Sequence, residues 1–143
     1  MTPEQIEMVR ASWQDVVPIQ DKAAELFYGK LFEMDPSLQQ LFTGDMTEQG
    51  KKLMQMLEIV VQKLDRLGEL LPEVRDLALR HVQYGVKDGD YDTVGGALLW
   101  ALETGLGEVF TRSVAEAWNI AYTTLSDAMR RDAHDPIRIE QLH

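Results

Sequence analysis

Apolar residues recur at three- and four-residue intervals along nearly the whole chain, and nowhere do they alternate over the length of a strand. Ile6, Val9, Trp13, Val16 and Val17 form the first stripe. It follows Thr2-Pro3-Glu4-Gln5, which reads as an N-cap, a first-turn proline and a capping-box partner, and Pro18 ends or bends it. A second helix begins at about Asp21 and carries Ala24, Phe27, Tyr28, Leu31 and Phe32 on its apolar side, until Asp35-Pro36 breaks it. Pro36 starts a short turn bearing Leu38, Leu41 and Phe42. Thr43-Gly44-Asp45 is a loop by composition.

Thr47 is the expected N-cap of a long helix whose stripe runs Gln49, Leu53, Leu57, Val60 and Leu64. Met54, Met56 and Val61 widen it, and Leu67-Gly68 closes it. A shorter helix opens at Pro72, runs to Tyr84 and stops at Gly85, and a turn follows to Gly89. From Tyr91 the chain is strongly helical and apolar, through Val94, Ala97, Leu98, Ala101, Leu102 and Leu106. Gly95-Gly96 inside it predicts a close helix-to-helix approach, because each glycine costs about 1 kcal/mol against alanine. Gly107 to Thr111 is a joint, and Thr111 can cap a last helix carrying Val114, Trp118, Ala121, Tyr122, Leu125 and Met129. The pattern is all-α, with six main helices plus short connecting turns in a single domain over 1–130. Residues 131–143 are polar, contain Pro136 and are expected to form a disordered tail.

A chain of 143 residues can bury the core of one such domain. Its 24 acidic and 14 basic residues give a net charge of −10, which disfavours nucleic acid and anionic membranes as partners. There is no cysteine, so disulfides, thiolate catalysis, Cys-type zinc and Fe–S clusters are excluded. Met-Thr-Pro-Glu-Gln does not read as a secretory signal, and no apolar run approaches the length of a membrane span. The expectation is a soluble, cytoplasmic protein.

No nucleophile elbow, phosphate loop, Rossmann glycine pattern or two-histidine metal motif occurs, and no residue is assigned as catalytic. Three polar residues stand on apolar faces: Tyr28, Gln49 and His81. Leu77, Leu79 and Val82 surround His81. A neutral imidazole in a dry pocket is a good metal ligand, and its second ring N–H can bond a helix carbonyl one turn back. A hydrogen-bonded core histidine fits the same local pattern. Gln49 lies one turn before Leu53 on the core-facing stripe, where an unpartnered amide costs about 1–3 kcal/mol; at a helix start it can also turn outward. Tyr28 can bury its ring and give its hydroxyl to water. His134 and His143 lie in the tail, without apolar surroundings, and receive no role.

Taken in order, these residues resemble a globin from Ile6 to about Met129. Phe27-Tyr28-Gly29-Lys30-Leu31-Phe32, Asp35-Pro36 and Leu41-Phe42 resemble the second helix, proline corner and haem-stacking phenylalanine of bacterial globins. Gln49-Gly50-Lys51-Lys52-Leu53 resembles the start of their distal helix, and Arg80-His81-Val82-Gln83-Tyr84-Gly85-Val86 their proximal histidine segment. Tyr91-Asp92-Thr93-Val94-Gly95 and Ala117-Trp118-Asn119-Ile120-Ala121-Tyr122 are similar to the last two helices. The pattern resembles bacterial single-domain haemoglobins and the haem domain of flavohaemoglobins.

The resemblance implies non-covalent haem b (iron protoporphyrin IX), with His81 as the proximal metal ligand and Phe42, Leu53, Val86, Tyr91 and Val94 around the cofactor. It turns Tyr28, Gln49 and Leu53 toward bound O₂. That ligand takes up negative charge, so a phenolic O–H and an amide N–H hold it selectively. Each such bond is worth about 1.5–3 kcal/mol, or roughly 10- to 150-fold in O₂ release, and CO gains less. Leu53 would set the crowding of that pocket. In the flavohaemoglobin pattern a tyrosine and a glutamate bracket the proximal histidine. Tyr91 matches the tyrosine, but the glutamate falls at Ala133, with Asp132 beside it, which implies weaker peroxidase-like and less efficient dioxygenase chemistry.

The implied role is first that of an oxygen-binding protein, for O₂ storage or delivery. NO detoxification by dioxygenation is implied too, with a separate reductase because the sequence carries no flavin or nicotinamide domain. O₂, NO and CO are the expected ligands, and the expected state is a monomer or weak homo-oligomer. A haem-based gas sensor acting through a partner, and a haem-free helical interaction protein that keeps only the frame, stand as alternatives.

Overall fold

A computed structural model describes residues 1–42, 44–83 and 85–133. Among them the backbone forms six α-helices: α1 (Pro3–Val16), α2 (Gln20–Met34), α3 (Met46–Gln62), α4 (Leu71–Gln83), α5 (Asp88–Leu106) and α6 (Arg112–Ala133). Short 3-10 segments at Val17–Ile19, Pro36–Leu41, Leu64–Leu70 and Gly107–Val109 join them. The fold is all-α, as the periodicity predicts. Thr43, Tyr84 and residues 134–143, with His134, His143 and most of the expected tail, lie outside the described residues.

The caps explain most boundaries. Thr2 and Gln5 form the capping box of α1, with Pro3 in its first turn. The Asp35 carboxylate accepts from the Ser37 backbone N–H at 3.1 Å, turning the chain out of α2 into the 3-10 segment. Thr111 Oγ1 accepts from the Val114 N–H at 3.3 Å, at the start of α6.

Several boundaries differ from the sequence pattern. Asp45, not Thr47, caps α3: its carboxylate accepts from the Thr47 N–H at 2.8 Å, and a negative group also complements the helix N-terminus. The helix stops at Gln62 rather than Leu67-Gly68. Arg10 of α1 donates to the carbonyls of Val61 (3.2 Å) and Gln62 (2.8 Å) and to Asp65 (2.9 Å), satisfying the acceptors that a helix end leaves open. Beyond it the backbone kinks at Arg66, yet Leu64 and Leu70 stay buried, so the apolar pattern hides the break. Helix α5 starts at Asp88, so Asp88 and Gly89, read as turn, lie in its first helical turn. There the Lys87 N–H donates to Asp90 Oδ2 at 2.8 Å. Helix α6 runs to Ala133, three residues into the stretch expected to be tail.

The core has two parts. The larger, with Trp13, Phe27, Leu31, Leu57, Leu102 and Trp118, fills the space among α1, α2, α3, α5 and α6. The smaller, Leu70, Val74, Ala78, Tyr91 and Met129, lies where α4 meets α6 and the start of α5. Gly95 and Gly96 produce the expected close approach. A Cβ on Gly95 would stand 2.7 Å from the ring of Tyr122 on α6, and one on Gly96 would stand 3.2 Å from the Met34 methyl on α2.

Candidate functional site

A cavity of about 130 Å³ opens between the two core regions. Leu31, Leu38, Leu41 and Phe42 wall it from α2 and the segment after it, Met56 from α3, Leu77 and His81 from α4. Val86, Asp90, Tyr91, Val94, Tyr122, Leu125, Ser126 and Met129 close the rest. Phe42, His81, Val86, Tyr91 and Val94, each singled out from the sequence, thus share one wall. Most of the other side chains lie on the apolar stripes. A stripe says that a residue is buried but not that it borders a cavity, and Ser126 carried no signal at all.

The chain places His81 in the last turn of α4. Gly85 adopts φ +87°, a conformation few residues but glycine take easily, and the Val86 N–H returns to the His81 carbonyl at 2.9 Å. The imidazole Nδ1 lies 2.8 Å from the carbonyl oxygen of Leu77. A carbonyl can only accept, so the proton sits on Nδ1 and Nε2 keeps its lone pair. Burial holds the imidazole pKa below its usual 6.5; the Leu77 carbonyl opposes the shift and the Arg80 charge adds to it. The ring is neutral at pH 7.

Tyr91 packs beside it, the two rings nearly parallel at 15° with centres 6.2 Å apart. Tyr122 donates its hydroxyl to the Tyr91 carbonyl at 2.6 Å. Burial raises the Tyr122 phenol far above its ordinary value, so it stays a donor.

Tyr28 and Gln49 stand apart from this wall. Tyr28 is buried on α2, edge-on to Phe27 and to Phe42 with ring centres 4.8 and 5.4 Å apart. Gln49, half-buried in the first turn of α3, stands close enough for its amide to act on the Tyr28 hydroxyl. Burial raises the Tyr28 pKa, and the Gln49 amide opposes the rise. Neither residue lines the cavity; Phe42 lies between, lining the cavity and packing on Tyr28. Leu53 is half-buried against the larger core and does not line the cavity either.

The globin family model matches residues 25–129, which span this wall and the Tyr28–Gln49 pair. The chain belongs to the globin family. Among similar proteins, the neuroglobin of Tetraodon nigroviridis is 28% identical over 87% of both chains. The flavohemoprotein of Bacillus subtilis is 30% identical over 86% of this chain, which spans only 32% of that protein's length. Among solved structures, an engineered carbene transferase from Rhodothermus marinus superposes with a TM-score of 0.86, 23% identity and 99% coverage of both chains. A bacterial globin from Campylobacter jejuni gives 0.79 at 25% identity, covering 96% of this chain and 99% of that one.

A globin fold implies the capacity to hold haem, and the residues of this globin fit that group. The cavity wall is mainly aliphatic and aromatic, which suits a flat apolar macrocycle. His81 borders it with a neutral ring and a free lone pair on Nε2, the donor that haem iron takes. The one carboxylate on the wall, Asp90, is already engaged by the Lys87 N–H.

Proposed function

We propose that this globin binds one haem b through His81 and reversibly holds O₂ near Tyr28 and Gln49. The role is O₂ storage or delivery, or NO dioxygenation with a separate reductase. The observation that carries the reading is a fixed, neutral His81 on the same apolar cavity wall as Phe42, whose ring also packs edge-on against the buried Tyr28. When bound, haem iron supplies a reversible bond to O₂ and, with NO, the oxidation to nitrate.

The remaining steps belong to the protein. The Leu77 carbonyl fixes the His81 tautomer and increases the basicity of Nε2. The apolar wall excludes water and strengthens the hydrogen bonds made beside it. Burial keeps the Tyr28 phenol protonated, so it donates, while Gln49 offers an amide N–H. Both groups would donate to a ligand that presents negative charge, which is where a charge-assisted hydrogen bond is strongest.

The relatives support this range of roles. Neuroglobins and flavohemoproteins are both similar to the chain, and the parent of the Rhodothermus marinus protein is named a candidate nitric oxide dioxygenase. The chain spans 32% of the length of the Bacillus subtilis flavohemoprotein, whose name joins a flavin to the haem, so a flavin reductase is the class of electron donor this reading takes.

Absorption spectra of the haem-reconstituted chain, ferric, reduced and then exposed to O₂, test the reading. A strong Soret band with a reversible O₂ spectrum, both lost in His81→Ala, is expected. Absence of the band leaves a haem-free helical protein. Decay of the O₂ spectrum on adding NO, with nitrate as product, supports dioxygenation; no decay leaves storage or delivery.

A further inference from the structure

Arg130, on α6, makes contacts that a surface ion pair does not require. Its Nη2 donates to Asp92 Oδ1 at 2.5 Å, and its Nε stands 3.8 Å from Asp88 Oδ1, too long for a hydrogen bond but within ion-pair range. Those carboxylates bracket Tyr91 in the first turns of α5. Between them the guanidinium carbon lies over the Tyr91 ring, 5.5 Å from its centre. The side chain is only 24% exposed, so this cation–π contact is partly shielded from water.

The same Tyr91 ring lies against the His81 imidazole. Its backbone is held separately, by the Tyr122 hydroxyl on its carbonyl. Arg130 therefore acts on the ring while Tyr122 acts on the backbone, and both reach from α6. A cation serving stability alone would need only the carboxylates. Here the guanidinium carbon also stands over the aromatic face, and a planar, charge-diffuse guanidinium and a compact ammonium do not interact with a ring alike.

We propose that Arg130 is a positioning residue for His81, acting through Tyr91. It fixes the plane of the Tyr91 ring and so the rotation of the imidazole beside it. That the fixed imidazole serves a cofactor rests on the haem reading above.

The test uses two readouts on the full chain. In the haem-free protein, NMR reads the ring-current shift that Tyr91 imposes on the His81 ring protons. In the haem-loaded protein, resonance Raman reads the iron–imidazole stretching band of the reduced, ligand-free form. Arg130→Ala is expected to lose the ring-current shift and to move and broaden the band, with helix content unchanged by circular dichroism. Arg130→Lys, which keeps the charge without the planar fork, is expected to restore either signal only partly. Asp92→Asn covers the case in which Arg130→Ala does not fold. Asp92 is 79% exposed, so its change releases the guanidinium without disturbing the core, and a smaller change of the same sign is expected.

Unaltered signals in a folded Arg130→Ala, or in Asp92→Asn where Arg130→Ala does not fold, overturn the proposal. So does full restoration by lysine. A ring-current change in a chain that never forms a Soret band would sink the haem reading and leave the Arg130–Tyr91–His81 coupling standing.

Discussion

The Nδ1 atom of His81 and the carbonyl oxygen of Leu77 lie 2.8 Å apart, one turn of α4 separating them. This bond holds the imidazole in one tautomer, and burial keeps it uncharged. A pH dependence with a definite sign follows. The folded-state pKa lies below 6.5, so between 6.5 and that lower value the unfolded chain binds a proton that the folded chain refuses. The stability from this site is complete above 6.5 and is lost as pH falls through the window, at up to about 1.4 kcal/mol per pH unit. Urea unfolding at stepped pH should show this slope in the parent and not in His81→Asn. Equal slopes would mean that other groups account for it.

Tyr28 and Gln49 should govern ligand release. Tyr28→Phe and Gln49→Leu each remove one donor worth about 1.5–3 kcal/mol, so O₂ dissociation should accelerate roughly 10- to 150-fold in each. CO release should change much less. Because burial raises the Tyr28 pKa, the O₂ rate should not respond to phenol ionisation as pH rises through 10.0, its ordinary value. Stopped-flow displacement measures all three. Unchanged O₂ rates in both variants would take the pair out of the ligand site.

The sequence showed the helices more clearly than their ends, and one wall of the site more clearly than the other. Apolar spacing follows burial, and burial continues through the kink at Arg66, so the end of α3 was invisible; the cause lies in Arg10, distant in sequence. Asp45 and Thr47 are both good caps, and composition did not choose between them. His81 was legible because a lone polar ring on an apolar stripe beside Gly85 is conspicuous. Leu53 packs against the larger core rather than on the cavity wall, because a stripe fixes the buried face but not which neighbour it meets. Arg130 read only as the first polar residue after Met129, since its contacts with Asp92 and Tyr91 exist only once α5 and α6 are packed.

The pair Ser12 and Trp118 tests the other end of the core. The Trp118 indole N–H donates to Ser12 Oγ at 2.8 Å, in a place where both side chains are buried. Ser12→Ala leaves that N–H without an acceptor, at a cost of about 1–3 kcal/mol in urea unfolding. In a Trp118→Phe background the same change should cost much less, because no donor remains to be stranded. Equal costs in the two backgrounds would show that the hydroxyl's own bonds to the Met8 and Val9 carbonyls matter more.

Two adjacent glycines in α5 should respond to the same substitution with opposite signs. Alanine gains about 1 kcal/mol over glycine in a helix interior, and this gain is common to both sites. At Gly96 the new Cβ would meet the Met34 methyl at 3.2 Å, the far end of a flexible side chain that is 46% exposed and free to move. Gly96→Ala should therefore be neutral or stabilising. At Gly95 the Cβ would meet the Tyr122 ring at 2.7 and 3.0 Å, and a rigid ring can yield only by shifting as a whole. Such a shift also pulls the hydroxyl from the Tyr91 carbonyl, so overpacking of about 1–3 kcal/mol should outweigh the helix gain. Thermal midpoints give both signs. Tyr122→Leu should suppress the Gly95→Ala loss, since the ring is what the new methyl strikes. If both alanine variants move the midpoint the same way, helix propensity rather than the Tyr122 contact governs this stretch of α5.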